Sequence, residues 1–298
     1  MMHVRSAQVS PAAIRGTAVA PPTAGGLATL ARSRRGLFGV AIVLAVVLCA
    51  ALPQVIAPYS PSLPQLAVAV QPPSPAHPFG TDQLGRDQLS RIIYATRVSL
   101  VVGAVAVALA GAIGCSLGLA SGYFGGWVDA AVMRLADVQL SIPFLLLVLT
   151  LNAVIGSGLR NVVVSLVLAG WPAYARVVRG ELLVLVRREY VQAAVATGAR
   201  SAQVIWRHVV PNVAGSIVVT SISQVSQFIV AEATISFLGF GVQLPTPSWG
   251  SMVGEQRDYL TLAWWLTAFP GAVLAVAVLG VNLTGDWLRE ALDPRQSR

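Results

Sequence analysis

Residues 176–211 read RVVRGELLVLVRREYVQAAVATGARSAQVIWRHVVP, an Arg-rich stretch between two apolar runs. Residues 179–197 are good helix formers, and Gly198 has the position of a C-terminal stop. Ser201 can cap a second, short helix, and Pro211 closes the polar stretch. The pattern predicts a helix, a turn and a second helix that stand in water. We call this segment the arm.

The apolar content of the chain indicates which class of protein carries this arm. Of the 298 residues, 55% are hydrophobic and 11% are charged, whereas soluble domains carry about 25% charged residues. A bilayer-crossing helix needs about 20 mainly apolar residues. Candidate runs lie at residues 37–57, 98–120, 138–156, 161–178, 212–238 and 262–284. We therefore predict an all-α polytopic membrane protein with six transmembrane helices.

The distribution of positive charge predicts how these helices are oriented. All 20 basic residues are Arg, and the net charge is +8. If the segments alternate from a cytoplasmic N-terminus, fifteen Arg fall inside and five outside, which is the bias expected of inner-membrane proteins. We therefore expect a multi-pass membrane protein with cytoplasmic N- and C-termini. The charge then reflects topology and attraction to membrane lipid, and nucleic acid is not an expected partner.

The same pattern divides the chain into four parts. Residues 1–36 are predicted to be a disordered cytoplasmic tail, and residues 37–97 a first transmembrane helix with a Pro-rich extracytoplasmic segment. Residues 98–285 form the predicted transmembrane domain that includes the arm, and residues 286–298 a cytoplasmic tail. In the extracytoplasmic segment, local hydrogen bonds are expected of Asp82, Arg86 and Asp87, with contact to a second protein as the alternative.

The arm has a face on which another surface could come close. Ala194 and Gly198 are four residues apart, so their small side chains lie on one side of the helix. Beyond the turn, Arg200, Trp206 and Arg207 offer polar and aromatic anchors for a partner. An Arg-rich helix lying on lipid headgroups is the alternative interpretation.

The spacing within the arm is similar to a known signature. Gln192-Ala193-Ala194 is followed by Gly198 four positions after Ala194, and Pro211 stands thirteen positions after that Gly. This resembles the Glu-Ala-Ala motif of bacterial ABC-importer permeases, which forms a coupling helix that docks on the ATP-hydrolysing subunit. Gln192 replaces the Glu of the motif, and a Val replaces its Leu before the final Pro. The resemblance implies docking through shape and Arg side chains rather than through one acidic contact.

The resemblance covers the chain from about residue 37 to residue 294. It is similar to the C-type subunit of the dipeptide/oligopeptide/nickel permease subfamily. The segments that carry this similarity are His77-Pro78-Phe79-Gly80-Thr81-Asp82, Gly85-Arg86-Asp87, Ser236-Phe237-Leu238-Gly239, Pro245-Thr246-Pro247-Ser248-Trp249-Gly250 and Gly285-Asp286-Trp287-Leu288-Arg289.

The resemblance implies a type I ABC importer permease fold and a role as half of a peptide pathway that works by alternating access. The implied partners are a homologous B-type permease subunit, two ATP-binding subunits and an extracytoplasmic solute-binding protein. The implied ATPase-docking residues are Gln192, Ala193, Ala194, Gly198, Arg200, Ser201, Arg207 and Pro211.

Polar residues inside the apolar runs are candidates for the pathway itself. Ser216, Thr220, Ser223 and Gln227 follow steps of four, three and four, so they share one helical face. That face either lines a passage for a polar solute or donates hydrogen bonds between helices. Glu232 is the only acid deep in an apolar run. It is a candidate gate, solute contact or partner of an Arg such as Arg97.

Asn152 is a further intramembrane candidate of the same kind. The chain shows no metal-ligand cluster, phosphate-binding loop or nucleophile–base pair. It is therefore not expected to be an enzyme or to bind a cofactor, and ATP and Mg would be bound by the partner subunits. The alternatives are an importer of the same architecture for nickel, glutathione or another small solute, and an ion-gradient secondary transporter. The latter would need more intramembrane acids.

Overall fold

The structure is a computed structural model in which residues 33–292 are described. Most of the predicted N-terminal tail and the last six residues lie outside that range. The described residues form helices joined by short turns and by one longer segment before Gln88. In chain order the helices are α1 (Arg34–Ala51), α2 (Pro53–Ile56), α3 (Gln88–Phe124), α4 (Gly126–Leu140), α5 (Phe144–Ile155), α6 (Leu159–Leu185), α7 (Glu189–Ala196), α8 (Ser201–Val204), α9 (Val210–Phe237), α10 (Trp249–Glu255) and α11 (Trp265–Leu292).

The all-α membrane architecture is confirmed. Among residues 33–292, five helical stretches are long and apolar enough to cross a membrane. They are α1, α3, α6, the stretch Ile205–Phe237 that contains α9, and α11. The pair α4 and α5 supplies a sixth crossing if the two helices are taken as one broken span.

The prediction of one continuous third span at residues 138–156 is wrong. The chain bends by 92° between α4 and α5, and the 12 residues of α5 are about 18 Å long. Such a helix alone is too short for a hydrocarbon layer of about 30 Å. Pro143 causes the break, because it has no N–H to continue α4 and disfavours a helical conformation of the residue before it.

The fourth span is longer than predicted, because α6 continues through Pro172. Proline in a helix leaves the carbonyl four residues earlier without its donor, here that of Leu168. The Gln139 side chain of α4 donates to this carbonyl over 2.7 Å, and also to that of Ala169 over 3.0 Å. A distant side chain therefore supplies the hydrogen bond that the proline removes.

In the last span, too, a distant side chain donates to the carbonyl that a proline leaves without its helical donor. Helix α11 runs without interruption through Pro270, which leaves the Leu266 carbonyl without its helical donor. The Gln88 side chain donates to that carbonyl over 2.8 Å and is itself paired with Gln256. Helix α11 continues to Leu292, so the described part of the predicted cytoplasmic tail, residues 286–292, is helical.

The outer segment also contains more helix than predicted. Helix α3 begins at Gln88, so the last part of residues 37–97, which were predicted as a first helix with a Pro-rich segment, is helical as well. Asp87 caps it by accepting from the backbone N–H of Ser90 over 2.8 Å. Its 37 residues reach about 55 Å, so α3 extends beyond the apolar layer.

Small residues hold α3 and α6 together. A Cβ atom added to Gly114 would lie 2.3 Å from the Trp171 carbonyl oxygen, and one added to Gly118 would lie 2.6 Å from that of Ala175. Membrane helices gain no hydrophobic free energy from leaving lipid, so such close backbone approach is their main source of packing energy.

Gly114→Ala is expected to destabilise the fold, because its methyl group would force α3 away from α6. Gly180→Ala is the matched control, since no other atom lies within 4 Å of the position of its Cβ. We expect the two variants to differ by about 1–3 kcal/mol in the free energy of unfolding. Thermal unfolding in detergent measures that difference, and equal stability of the two variants would contradict the packing argument.

The helices run between two ends of the bundle. At the end that carries the arm, the N-terminal turn of α1 packs on the C-terminal turn of α11 through Gly36 and Trp287. At the opposite end, the N–H of Gly158, just after α5, donates to the carbonyl of Gly241 over 3.0 Å. The pair α4 and α5 thus leads from the arm end to the opposite end.

Candidate functional site

The arm of the folded protein is a short helix, a tight turn and the start of a long helix. Helix α7 ends at a left-handed Gly198, whose φ is +86°. The N–H of Gly198 bonds to the Val195 carbonyl, and the N–H of Ala199 to that of Ala194. These two bonds form a Schellman motif, so the predicted stop at Gly198 is confirmed.

The predicted helix over residues 179–197 is wrong in one respect, because the chain breaks at residues 186–188. Arg188 adopts an extended conformation with ψ of 139°, and no side chain caps the helix that follows. Local sequence offers no reason for the break, since no Gly or Pro is present. The change of direction allows Val191 of α7 to be buried, with 1% of its surface exposed.

The second half of the arm also differs from the prediction. Ser201 is the first residue of α8 rather than its cap, because the N–H of Val204 bonds to the carbonyl of Arg200. Residues Ile205–Val209 form a π-helical turn that leads directly into α9. Pro211 therefore lies inside a continuous helix near its start, a position where its missing N–H is tolerated.

The predicted docking residues lie on the surface of the arm. Arg200 and Arg207 are exposed, and Trp206 has 71% of its surface exposed. The other exposed members of the predicted set are Gln192, Ala193, Gly198, Ser201 and Pro211, and Ala194 is half-buried.

Buried side chains hold the arm on the bundle. Val209 and Val213 pack against Leu182 of α6, with Leu119 and Tyr123 of α3 beside them. The exposed face of the arm is thus anchored by side chains that pack between α3, α6 and α9.

Three polar contacts reinforce that anchor. Arg179 of α6 bonds to Asp129 of α4, with 2.6 Å between Nη2 and Oδ2, and Arg176 pairs with Asp137. Ser216 of α9 bonds to Glu181 of α6. Ser216 therefore joins α9 to α6. At this position the structure agrees with the alternative in which the polar face makes hydrogen bonds between helices.

The other three residues of the predicted polar face of α9 lie in different environments. Gln227 is exposed and lines a cavity of about 510 Å³ between α5, α9 and α11, which we call the central cavity. Ser223 is exposed and lines a neighbouring cavity of about 30 Å³. Thr220 is half-buried. Only part of the α9 face therefore borders open space.

Helix α11 forms the other wall of these cavities, which sequence reasoning did not predict. Asn282 lines the central cavity and the smaller one, and Asp286 and Arg289 line the smaller one. These three residues follow steps of four and three, so they lie on one helical face. That periodicity was a signal from which the face could have been found.

Among residues 33–292, Glu232 has no Arg partner within 4.0 Å, which contradicts the expected pair with an Arg such as Arg97. Its carboxylate is fully buried and accepts from the hydroxyls of Ser99 over 3.0 Å and Ser236 over 2.7 Å, while Arg97 is exposed. The Ser236 hydroxyl in turn accepts from the N–H of Val242 over 3.2 Å. The acid therefore ties α3 and α9 to the loop that follows α9.

Asn152 is fully buried and donates to the Val148 carbonyl of its own helix over 2.9 Å. It lines neither of the two cavities described. Its environment in this structure is thus that of a core residue.

The opposite end of the bundle is held by a buried network of charges. Asp82 accepts from Arg86 over 2.7 Å and from Arg91 over 2.6 Å, and Arg91 also reaches Glu255 over 3.1 Å. Two cations and two acids therefore neutralise one another. Local hydrogen bonds at Asp82 and Arg86 were predicted, but their connection to Glu255 was not.

Comparison with known proteins agrees with this architecture. A family model described as binding-protein-dependent transport system inner membrane component matches residues 114–298. A glutathione transport system permease protein of Pectobacterium atrosepticum is 43% identical over 223 residues, which are 75% of this chain and 74% of that protein. A di/tripeptide transport system permease protein of Pseudomonas aeruginosa is 37% identical over 273 residues, 90% of each chain.

An oligopeptide transport system permease protein of Bacillus subtilis is 38% identical over 263 residues, 88% of this chain and 86% of that protein. Among solved structures, the MetNI methionine ABC transporter in inward-facing conformations has a chain with a TM-score of 0.56 at 18% identity. The match covers 68% of this chain and 97% of that chain. At this identity the likeness shows the fold, whereas the sequence matches show the relationship. The chain belongs to the family of binding-protein-dependent transport system inner membrane components, and it is an ABC-importer permease.

Proposed function

We propose that this permease forms half of the translocation pathway of an ATP-driven importer for di- or oligopeptides and works by alternating access. The observation that carries the proposal is the exposed arm, which is joined without interruption to the helix that borders the central cavity. The protein itself hydrolyses no ATP in this proposal. ATP and Mg are bound by its partner subunits.

The geometry supports a lever role for the arm. A movement of α8 would be carried by the π-turn directly into α9, because residues 201–237 are helical throughout. Gln227 and Ser223 lie on α9 beside the two cavities. Displacement of the arm would therefore change the width of the space between α9 and α11.

The partners follow from the exposed surfaces and from the family. Two ATP-binding subunits would bind the arm of this chain and the corresponding arm of a homologous B-type permease. The B-type subunit would cover the open side of the central cavity. An extracytoplasmic solute-binding protein would deliver the cargo at the opposite end.

Orientation follows from the Arg distribution. The N-terminal turn of α1, the C-terminal turn of α11 and the arm share one end of the bundle. We assign that end to the cytoplasm, because most Arg lie there and positively charged segments remain inside. The protein would then be a multi-pass inner-membrane protein with both termini cytoplasmic.

The peptide cargo is supported by relatives named as di/tripeptide and oligopeptide permeases. Glutathione, for which another relative is named, is itself a small peptide. The wall of the central cavity is mainly apolar, and Gln227 and Asn282 supply hydrogen-bonding groups within it. This combination suits a peptide, which has both polar backbone groups and apolar side chains.

The test is uptake of labelled solutes by the whole importer in cells that lack other peptide transporters. We expect dipeptide uptake that requires the co-expressed ATPase subunits and falls to background when their phosphate-binding lysine is replaced. Glutathione and Ni²⁺ are measured in parallel.

Uptake that persists without the ATPases and collapses on dissipation of the proton gradient would overturn the proposal in favour of a secondary transporter. ATP-dependent uptake of Ni²⁺ without uptake of any peptide would overturn the peptide assignment alone.

A further inference from the structure

A third cavity lies at the arm end of the bundle and shares Asp286 and Arg289 with the smaller cavity beside α9. It lies where the first turn of α1 meets the last turn of α11, and its volume is about 230 Å³. That is many times the ~15 Å³ needed for one water. We call it the terminal cavity.

Close packing of glycines brings the two helices together there. A Cβ atom added to Gly36 would lie 2.6 Å from Cγ of Trp287, and one added to Gly39 would lie 2.7 Å from Cβ of Leu283. One turn further along, a Cβ atom on Gly280 would lie 2.4 Å from Ile42. The walls of the terminal cavity are therefore set by a tight helix pair.

Two cations and two acids line the terminal cavity. Arg35 is contributed by α1, and Asp286, Arg289 and Glu290 by α11. Within residues 33–292, none of these four side chains takes part in an ion pair shorter than 4.0 Å. Within that part of the chain, the cavity therefore offers both signs of charge to a ligand.

The first turn of α1 adds backbone donors on the side of Arg35, while Asp286, Arg289 and Glu290 stand on the side of α11. The Ser33 hydroxyl accepts from the N–H of Gly36 over 3.1 Å, and the N–H of Leu37 bonds to the Ser33 carbonyl. The N–H groups of Arg34 and Arg35 have no partner within the helix, so this wall is positive. The opposite wall is the C-terminal end of α11, where the helix dipole is negative and two acids stand.

The terminal cavity lies at the depth of lipid headgroups. Immediately beyond it, Leu37 and Phe38 of α1 expose 55% and 58% of their surface, as expected of side chains that face acyl chains. Trp287 lines the cavity, and Trp is enriched at the boundary between lipid and water.

We infer that the terminal cavity binds the phosphoethanolamine headgroup of a membrane lipid. The phosphate contacts Arg35, Arg289 and the first turn of α1, and the ammonium group donates to Asp286 and Glu290. Phosphatidylcholine has the same charges, but its quaternary ammonium group cannot donate hydrogen bonds. Phosphatidylglycerol has no cation for the two acids. This inference concerns a lipid site and does not depend on the nature of the cargo.

The experiment compares lipid retention by the intact permease complex. The complex is purified and exposed to equal amounts of phosphatidylethanolamine, phosphatidylcholine and phosphatidylglycerol with identical acyl chains. Bound lipids are counted by native mass spectrometry. We expect phosphatidylethanolamine to be favoured over phosphatidylcholine roughly threefold to tenfold, the factor that one or two net hydrogen bonds supply.

Variants assign this preference to the terminal cavity. D286N/E290Q is expected to abolish the preference for phosphatidylethanolamine over phosphatidylcholine, while R35Q/R289Q is expected to lower retention of all three lipids. Arg257→Gln, at an exposed Arg outside this cavity, is the control and should leave both quantities unchanged.

Equal retention of phosphatidylethanolamine and phosphatidylcholine by the wild-type complex would overturn the inference, as would a preference that survives in D286N/E290Q. If that variant does not assemble, stepwise N-methylation of the lipid on the wild-type complex gives the answer, because retention should fall as donors are lost. Soluble phosphoethanolamine that binds as tightly as the lipid would overturn the assignment to a membrane lipid.

Discussion

Reversing the charge of two Arg on the arm, as R200E/R207E, is expected to abolish both ATPase docking and uptake. Both side chains are exposed on the arm, so the change should leave the fold intact. An ATPase surface that accepts these cations would then face two acids, and like charges brought together across an interface cost several kcal/mol. We expect co-purification of the ATPase subunits to fall at least ~10-fold, the factor that corresponds to 1.4 kcal/mol.

The matched control is R160E/R257E, which reverses the same number of charges outside the arm. Arg160 and Arg257 are both exposed. This control separates loss of a specific contact from a general effect of net charge on assembly. Normal co-purification and uptake by R200E/R207E would show that the arm does not dock through its Arg side chains. Loss of co-purification and uptake in R160E/R257E as well would also contradict docking through the Arg side chains of the arm.

Arg91→Gln is expected to have the largest effect on stability. Arg91 has 1% of its side chain exposed and contacts Asp82 and Glu255. Its removal would leave two acids with only Arg86 to neutralise them, and Asp82 is fully buried. Breaking a buried ion pair from one side costs roughly 3–5 kcal/mol, because an uncompensated charge remains.

Thermal unfolding of the purified protein in detergent measures this effect. The control is Arg257→Gln, since Arg257 pairs with Asp258 at 3.7 Å and both side chains are largely exposed. Exposed ion pairs contribute little, so we expect its melting temperature to stay near that of the wild type. Equal melting temperatures for the two variants would mean that the buried network does not stabilise this end of the bundle.

The helical turn at Gly198 and the break at Pro143 illustrate what local pattern can predict. Gly198 ends α7 as expected, because a left-handed residue needs only its own backbone freedom. Pro143 lies within the apolar run 138–156, which was predicted to be one continuous span. Its consequence, a bend of 92°, depends on where α4 and α5 find neighbours to pack on.

Only part of the candidate site could be predicted, because local pattern shows which residues share a helical face but not what that face packs against. The exposed face of the arm follows from helical spacing and polarity. The second wall of the cavities, with Asn282, Asp286 and Arg289, has a periodicity as regular as that of the α9 face. Its role becomes visible only when α11 lies beside α9, because a cavity exists only between elements.

The sequence by itself determined the class of the protein, the number of apolar segments and the position of the arm, because these depend on neighbouring residues. Only the tertiary structure decided how buried polar groups are satisfied. Gln139 reaches a carbonyl 29 residues away, Gln88 one 178 residues away, and Ser99 the carboxylate of Glu232 133 residues away. Inside a membrane a carbonyl or carboxylate without water must find a donor wherever the fold brings one, and no local pattern specifies which donor that is.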